Sequence, residues 1–296
     1  MFKKLFFTLV ICLFIKTNAQ DGTVSPYSYF GLGTFNPANT VENNAMGGLS
    51  IYGDSIHVNL QNPASYGLLK LTTYTVGVSH RRMALTSDTQ EKSTALTAID
   101  YLSVAMPIAE NIGIGFGITP VTSMGYILNS SAENANGETI TNVFSGDGGL
   151  SKIYFSLGAA PIKNFTVGAS AFANFGTVNK ERVQSLSSVL FGTIDRRTSR
   201  MNGFNFQMAA NYTPNITDKL TLYTSFVHTT GLDLKASNTQ QVGSLSLVNG
   251  SELEVSDLDL EAANLKNNTV KIPSVTTLGL GIGENKKWLL GASYTI

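Results

Sequence analysis

From residue 68 onward the chain alternates apolar residues with polar or small ones. Tyr74, Val76 and Val78 alternate with Thr73, Thr75, Gly77 and Ser79. Ile112, Ile114, Phe116 and Ile118 alternate with Gly113, Gly115, Gly117 and Thr119, and Phe165, Val167, Ala169 and Ala171 with Thr166, Gly168, Ser170 and Phe172. The pattern returns over 153–159, 204–212 and 278–282. Successive side chains of a strand point to opposite faces, so a period of two predicts strands. No segment beyond residue 19 carries a helical period. Nine strands are predicted, at about 69–86, 96–107, 111–128, 149–161, 165–184, 196–213, 219–237, 269–283 and 287–296.

The connections divide into two kinds. Pro107–Asn111, Pro161–Asn164 and Pro214–Lys219 each end one strand and start the next, as does Glu284–Lys287 without a proline. A proline at a strand terminus loses little by lacking an N–H. Longer polar excursions lie near 87–95, 129–148, 185–197 and 236–268. Short turns at one end and long loops at the other predict an all-β, transmembrane, antiparallel up-and-down β-barrel, with turns in the periplasm and loops outside the cell. Several strands exceed the 9–11 residues that cross hydrocarbon. The structural alternative, a water-soluble β-sandwich, has shorter strands and no such asymmetry. Nine is an odd number where bacterial single-chain barrels are even, and the last strand stops at Ile296 without a terminal aromatic, so the expectation is either a barrel truncated at its C-terminus or one with strands that this count misses.

Composition narrows the setting. Of 296 residues, 43% are hydrophobic and 14% charged, against a usual charged share of about 25%. Residues 1–19 read as a cleaved signal peptide, with Lys3 and Lys4 ahead of the apolar run Leu5–Ile15 and cleavage after Ala19. That run is too short for a membrane anchor, and no later stretch offers the roughly 18 apolar residues of a transmembrane helix. An exported chain in a membrane is then a closed barrel of the outer membrane. The only cysteine, Cys12, leaves with the leader, so disulfide and thiolate chemistry are excluded from the mature chain. Without Lys3, Lys4 and Lys16 the mature chain has 17 basic against 20 acidic residues, no basis for nucleic-acid binding.

Between leader and first strand lies a segment of a different kind. Residues 20–67 form an N-terminal extension and residues 68–296 the barrel. Within the extension, residues 43–67 hold Gly47-Gly48, Gly53-Asp54 and Asn62-Pro63-Ala64 among Met46, Leu49, Ile51, Ile56, Val58 and Leu60. So many breakers exclude a helix or plain strand, and so many apolar residues exclude a free linker. The first strand rises from the periplasmic side, so 20–67 are expected to begin there and enter the lumen. Glycines on the presumed inner face (113, 115, 117, 158, 168, 279 and 281) either admit a second backbone or curve the strands.

Chemistry-bearing residues are sparse. His57, His80 and His228 show no metal spacing. Ser225 and His228, three apart on a strand, face opposite ways and make no nucleophile–base pair. No enzyme, metal site or cofactor is expected. Arg81, Arg82, Arg196, Arg197 and Arg200 either hold anionic lipid head groups or are ordinary rim charges. Five carboxylates in ELEVSDLDLE (252–261) either bind a hard cation or extend a solvated strand.

The phrase AMGGLSIYGDSIHVNLQNPASY (45–66), with LSVAMPIAENIGIGFGITP and GGLSKIYFSLGAAPIKNFTVGASAFANFG, resembles the long-chain fatty acid transporter (FadL) family over nearly the whole chain, in a divergent branch. The resemblance implies a fourteen-stranded barrel plugged by an N-terminal hatch. It implies diffusion of hydrophobic compounds such as long-chain fatty acids through a hatch-gated lumen. Asn62, Pro63 and Ala64 are then the hatch motif, and Gly47, Gly48 and Asp54 its turn. Candidate ligand-lining residues are Tyr154, Phe172 and Tyr223. Implied partners are outer-membrane lipid, a hydrophobic small molecule and proteins of an outer-membrane complex. The alternative is a non-transporting barrel subunit of a secretion or barrel-assembly machine.

Overall fold

A computed structural model describes residues 23–86, 91–284 and 287–296. The leader at 1–19, with Cys12, lies outside the described residues. The chain forms one antiparallel sheet of thirteen strands. After a 3-10 turn at Pro26–Tyr29 come β1 (Thr34–Phe35), helix α1 (Val41–Ala45) and a second 3-10 turn at Pro63–Leu68. The wall follows: β2 (Thr73–Thr86), β3 (Glu91–Ala109), β4 (Ile112–Glu133), β5 (Thr139–Ile162), β6 (Phe165–Leu186), β7 (Phe191–Tyr212), β8 (Thr221–Thr229) and β9 (Leu232–Ser246). It ends with β10 (Glu252–Asp257), β11 (Asn267–Ile272), β12 (Val275–Glu284) and β13 (Trp288–Thr295).

Neighbours in sequence pair from β2 to β7. Beyond β7 the wall is spliced: β7 pairs with β8 in its last turnward residues and with β9 over Phe191–Asn202, while β12 pairs with β8 and both β10 and β11 pair with β9. Among the described residues β2 pairs only with β3 and β13 only with β12, so the sheet is open between them. The expected nine strands correspond to thirteen among the described residues: two of the expected spans are each split by a break, at Thr230-Gly231 and Pro273-Ser274, and β1 and β10 lie outside the expected spans.

Two expectations from the sequence need correction. The polar stretches at 129–148 and 185–197 are mostly ladder rather than loop. β4 and β5 stay paired to Glu133↔Thr139, and β6 and β7 to Gln184↔Thr193. A strand with water on both faces needs no apolar face, so its alternation fades while its backbone pairing continues. Two of the strand-ending prolines, Pro107 and Pro161, sit at bulges, with register shifts between Pro107 and Ala109 and between Ala159 and Ile162, and Pro120 within β4 sits at a third, between Pro120 and Thr122. A bulge leaves one residue unpaired, which is where a missing N–H costs nothing. The tight turns themselves rest on Asn111 and Asn164, at φ 62° and 65°, a left-handed conformation asparagine tolerates.

The two faces are inverted relative to a water-soluble protein. Outward positions are large and apolar: Tyr74, Phe204 and Leu290 are 75%, 74% and 71% exposed. Inward positions are small or polar and buried, among them Ser103, Ser156, Ser170, Asn174 and Asn211. A sandwich buries its apolar face; this sheet presents it.

The N-terminal segment runs along the inner face. Tyr66 lies against Gly113 and Gly115 near the short-turn end of β4, Thr34 pairs with Ser123 farther up, and Ser28 bonds Gly125. Ten residues of β4 separate Gly115 from Gly125, roughly 33 Å of strand at 3.3 Å each. Residues 23–35 therefore lie toward the long-strand end, not at the short-turn end expected for the start of the extension; only 41–69 occupy that end. Lys180 fixes the upper part by donating to the Tyr29 and Gly31 carbonyls at 3.2 and 3.4 Å.

Candidate functional site

The site is the contact between the N-terminal segment and the inner wall. It is built from short local motifs. Thr40 caps α1 by accepting from Asn43 N, and Gly47 and Gly48, at φ 74° and 80°, end it by donating to the Asn44 and Asn43 carbonyls. A non-glycine residue is strained at such φ values, which accounts for the glycine pair. Asp54 organises the next turn, accepting from the backbone of Ile56 and His57 at 2.9 and 2.7 Å and from the His57 ring.

Burial pushes the Asp54 carboxyl up, but the His57 and Ile56 amides and the His57 ring outweigh it and hold it below its ordinary 3.8. A carboxyl lowered on folding stabilises the fold above its unfolded value, and that contribution is lost as pH falls through the lower folded value. Protection of the Ile56 and His57 amides from hydrogen exchange should therefore hold at neutral pH and decline below about pH 4. Asp54→Ala should show the low-pH level of protection at every pH. A flat profile in the unsubstituted protein would exclude this role.

Asn62 is wholly buried and has its donors and acceptors filled. Its Oδ1 accepts from Ala64 N at 3.1 Å, and its Nδ2 donates to Ser50 O at 3.1 Å and to Asn211 Oδ1 on β7 at 2.8 Å. It caps the 3-10 turn Pro63–Leu68 and ties that turn to the wall. Pro63 and Ala64 lie with their backbone on β6: a Cβ placed on Gly168 would stand 2.3 Å from Pro63 C and 2.5 Å from Ala64 N. On β5, a Cβ at Gly158 would meet Pro63 O at 2.5 Å. Opposite, Cβ atoms at Gly279 and Gly281 would meet Ile51 Cγ2 at 2.1 Å and Cδ1 at 2.6 Å. Of the two readings of these inner glycines, close approach of a second chain segment holds at 113, 115, 158, 168, 279 and 281. Gly117 differs, since a Cβ there would meet the Leu102 carbonyl of β3 and the Tyr154 ring.

The segment packs on the wall in two layers. The lower joins Val58, Leu60, Tyr66 and Leu69 of the segment to Tyr101, Tyr154 and Phe172 of the wall, with Tyr154 hydrogen-bonded to Ser103. The upper sets Tyr29 and Leu32 against Met124, Tyr126, Leu150 and Met201. The three candidate lining residues do not share a pocket. Tyr154 and Phe172 belong to the lower layer, whereas Tyr223 stacks obliquely on Tyr52, ring centroids 6.2 Å apart, beside a separate cavity near Trp288.

The other chemistry-bearing residues resolve into local contacts. His228 Nδ1 bonds Thr276 at 2.9 Å while Ser225 faces inward, buried. Arg196 joins three strands through Glu181 and Glu252, each at 2.8 Å, and Arg197 pairs with Asp195. These contacts favour the rim reading over lipid head groups for Arg196 and Arg197. Within 252–261, Glu252 engages Arg196, Asp257 accepts from Gln241, and Glu261 pairs with Lys266, so the carboxylates are dispersed among separate partners. Sequence reasoning missed Asn211, the wall partner of Asn62; an asparagine on an inward strand position was the only signal available.

A family model described as BamG, a barrel-assembly machine component, matches residues 1–296. No curated protein matches the chain. The family match overturns the resemblance to the fatty acid transporters and, with it, the expectation of hatch-gated passage of hydrophobic compounds.

Proposed function

The chain belongs to the BamG family, and on that premise we propose that it is a non-transporting outer-membrane barrel serving as a structural subunit of the barrel-assembly machine. The family match carries this reading, and the packing of the N-terminal segment on the wall is compatible with it. The N-terminal segment is packed against the wall at two levels, by Tyr66 below and Tyr29 above, and is bound to it by Asn62 and Lys180. In this reading Asn62, Pro63 and Ala64 clasp the segment, and residues 1–19 export the chain. In the membrane the wall is closed, because an open edge in hydrocarbon leaves backbone groups unpaired at several kcal/mol each.

A second observation supports a protein partner. Val189, Leu190 and Phe191 at the β6–β7 turn and Leu247 and Val248 at the β9–β10 turn are exposed and adjacent, Leu247 N donating to Leu190 O at 2.9 Å. Phe191 stands 21 residues along β7 from Tyr212, about twice the length that crosses hydrocarbon. Lipid does not account for apolar residues at that height; a protein surface does. Leu190→Asp with Val248→Asp should leave insertion intact and lower recovery of assembly-machine proteins on gentle purification at least tenfold. Unchanged recovery would reject this surface. Recovery of the unsubstituted chain without such proteins would reject the function.

A further inference from the structure

Between the two packed layers lies a cavity of about 190 Å³. Its polar side is formed by Lys152 on β5, Asn174 on β6, and Asn205 and Gln207 on β7. Its other side is the place where the wall is spliced. Thr229 ends β8 and Leu232 starts β9, and Ile272 ends β11 and Val275 starts β12. Across from these breaks, Gly203–Phe206 lack strand partners on this side, and the gap is patched by Thr230, which bonds Phe206 and accepts from Asn205 Nδ2.

Two groups in this cavity are unmatched. Lys152 Nζ rests 4.4 Å from the centroid of the Phe172 ring and, among the described residues, has no carboxylate or hydrogen-bond acceptor. Gln207 is buried, and its Oε1 has no donor. A half-buried ammonium without an anion and a buried acceptor without a donor are each unfavourable, and one ligand with an anion and a donor satisfies both. Outside the break stand Phe204 and Phe206, exposed on the apolar outer face.

We propose that this cavity holds the head group of an anionic phospholipid. The phosphate meets Lys152, a head-group hydroxyl or N–H donates to Gln207, and the acyl chains leave through the break beside Thr230-Gly231 and Pro273-Ser274. The lipid is resident, pinning the wall where its own ladder is interrupted. The inference rests on the membrane-embedded wall proposed above.

The test purifies the full chain in mild detergent and identifies bound lipid by mass spectrometry. Heat-modifiable migration on a gel reports separately that the wall has formed. About one phosphate-bearing lipid per chain is expected. Lys152→Met should lower that at least tenfold, Lys152→Arg should keep it, and both should stay heat-modifiable. Stripped protein should regain lipid from vesicles of phosphatidylglycerol and not from phosphatidylcholine alone. Equal retention in Lys152→Met, or no lipid in the native chain before and after incubation with phosphatidylglycerol, overturns the site. Retention of oleate in place of phospholipid overturns the assignment of the head group. Loss of heat-modifiability in the unsubstituted chain overturns instead the membrane reading beneath it.

Discussion

Tyr66→Ala is expected to lower the stability of the folded chain by about 3–5 kcal/mol, the range for truncating a fully enclosed aromatic side chain. Tyr66 is 2% exposed and fills the space above Gly115, where a Cβ would lie 2.0 Å from its Cε1. It also joins Val58, Leu60 and Leu69 to the wall residues Tyr101 and Tyr154. The wall cannot collapse onto the vacancy, because its backbone is held by the ladders of β4 and β5. A large cavity therefore persists, which places the loss at the upper end of the range. Tyr66→Phe should cost little, since the buried hydroxyl has no hydrogen-bond partner among the described residues. Urea unfolding in detergent, followed by loss of heat-modifiable migration, measures both. Equal midpoints for Tyr66→Ala and Tyr66→Phe would show that the ring does not anchor the segment.

The second large effect comes from the wall side of the same contact. Gly168→Ala adds one methyl, yet that methyl meets the backbone of Pro63 and Ala64 rather than a flexible side-chain end. Backbone cannot rotate out of the way, so the segment must move or the strand must bend. Overpacking of this kind costs about 1–3 kcal/mol, sometimes more. The strands keep their own pairing, so the wall should form while the segment around 54–68 becomes open to protease added from the short-turn side. Ala171→Gly, on the outward face of the same strand, is the control and should leave the segment protected. If Gly168→Ala leaves the cleavage pattern unchanged, the segment is not seated on β6 as described.

Much of this architecture was legible before any coordinates. Period two separates Ile112, Ile114 and Phe116 from Gly113, Gly115 and Gly117, and the structure places the first set outward and the glycines inward. The breaker-rich segment was legible as a packed, irregular piece because Met46 to Leu60 are too apolar to be solvated. The upper halves of the strands were not. Where both faces meet water, as along Asn142 and Arg182, which bond each other across β5 and β6, composition no longer distinguishes ladder from loop. The breaks at Thr230-Gly231 and Pro273-Ser274 escaped notice for a related reason: each is only two residues long, too short to interrupt an alternation. The partner of Asn62 was invisible because it lies 149 residues away, a separation that no local pattern encodes. The resemblance to transporters failed at the level of function, since a plug packed inside a β-wall is compatible with both a gate and a permanent filling. Only the family match distinguishes them.

The bridging position of the N-terminal segment also constrains the order in which the molecule can be made. Ile51 sits on β12 and β13 while Pro63 and Tyr66 sit on β4, β5 and β6, so the earliest part of the chain touches strands from both halves of the wall. The contacts of Ile51 with Gly279 and Gly291 pair residues 228 and 240 apart in the chain, and bringing distant residues together is what makes folding slow. The strands follow the segment in sequence, so its contacts with β12 and β13 are the last that can form. Until β12 and β13 arrive, one flank of the segment and the free strand edges stay uncovered, the condition in which β-chains associate wrongly. A wall wound on its own first residues thus has a long vulnerable interval.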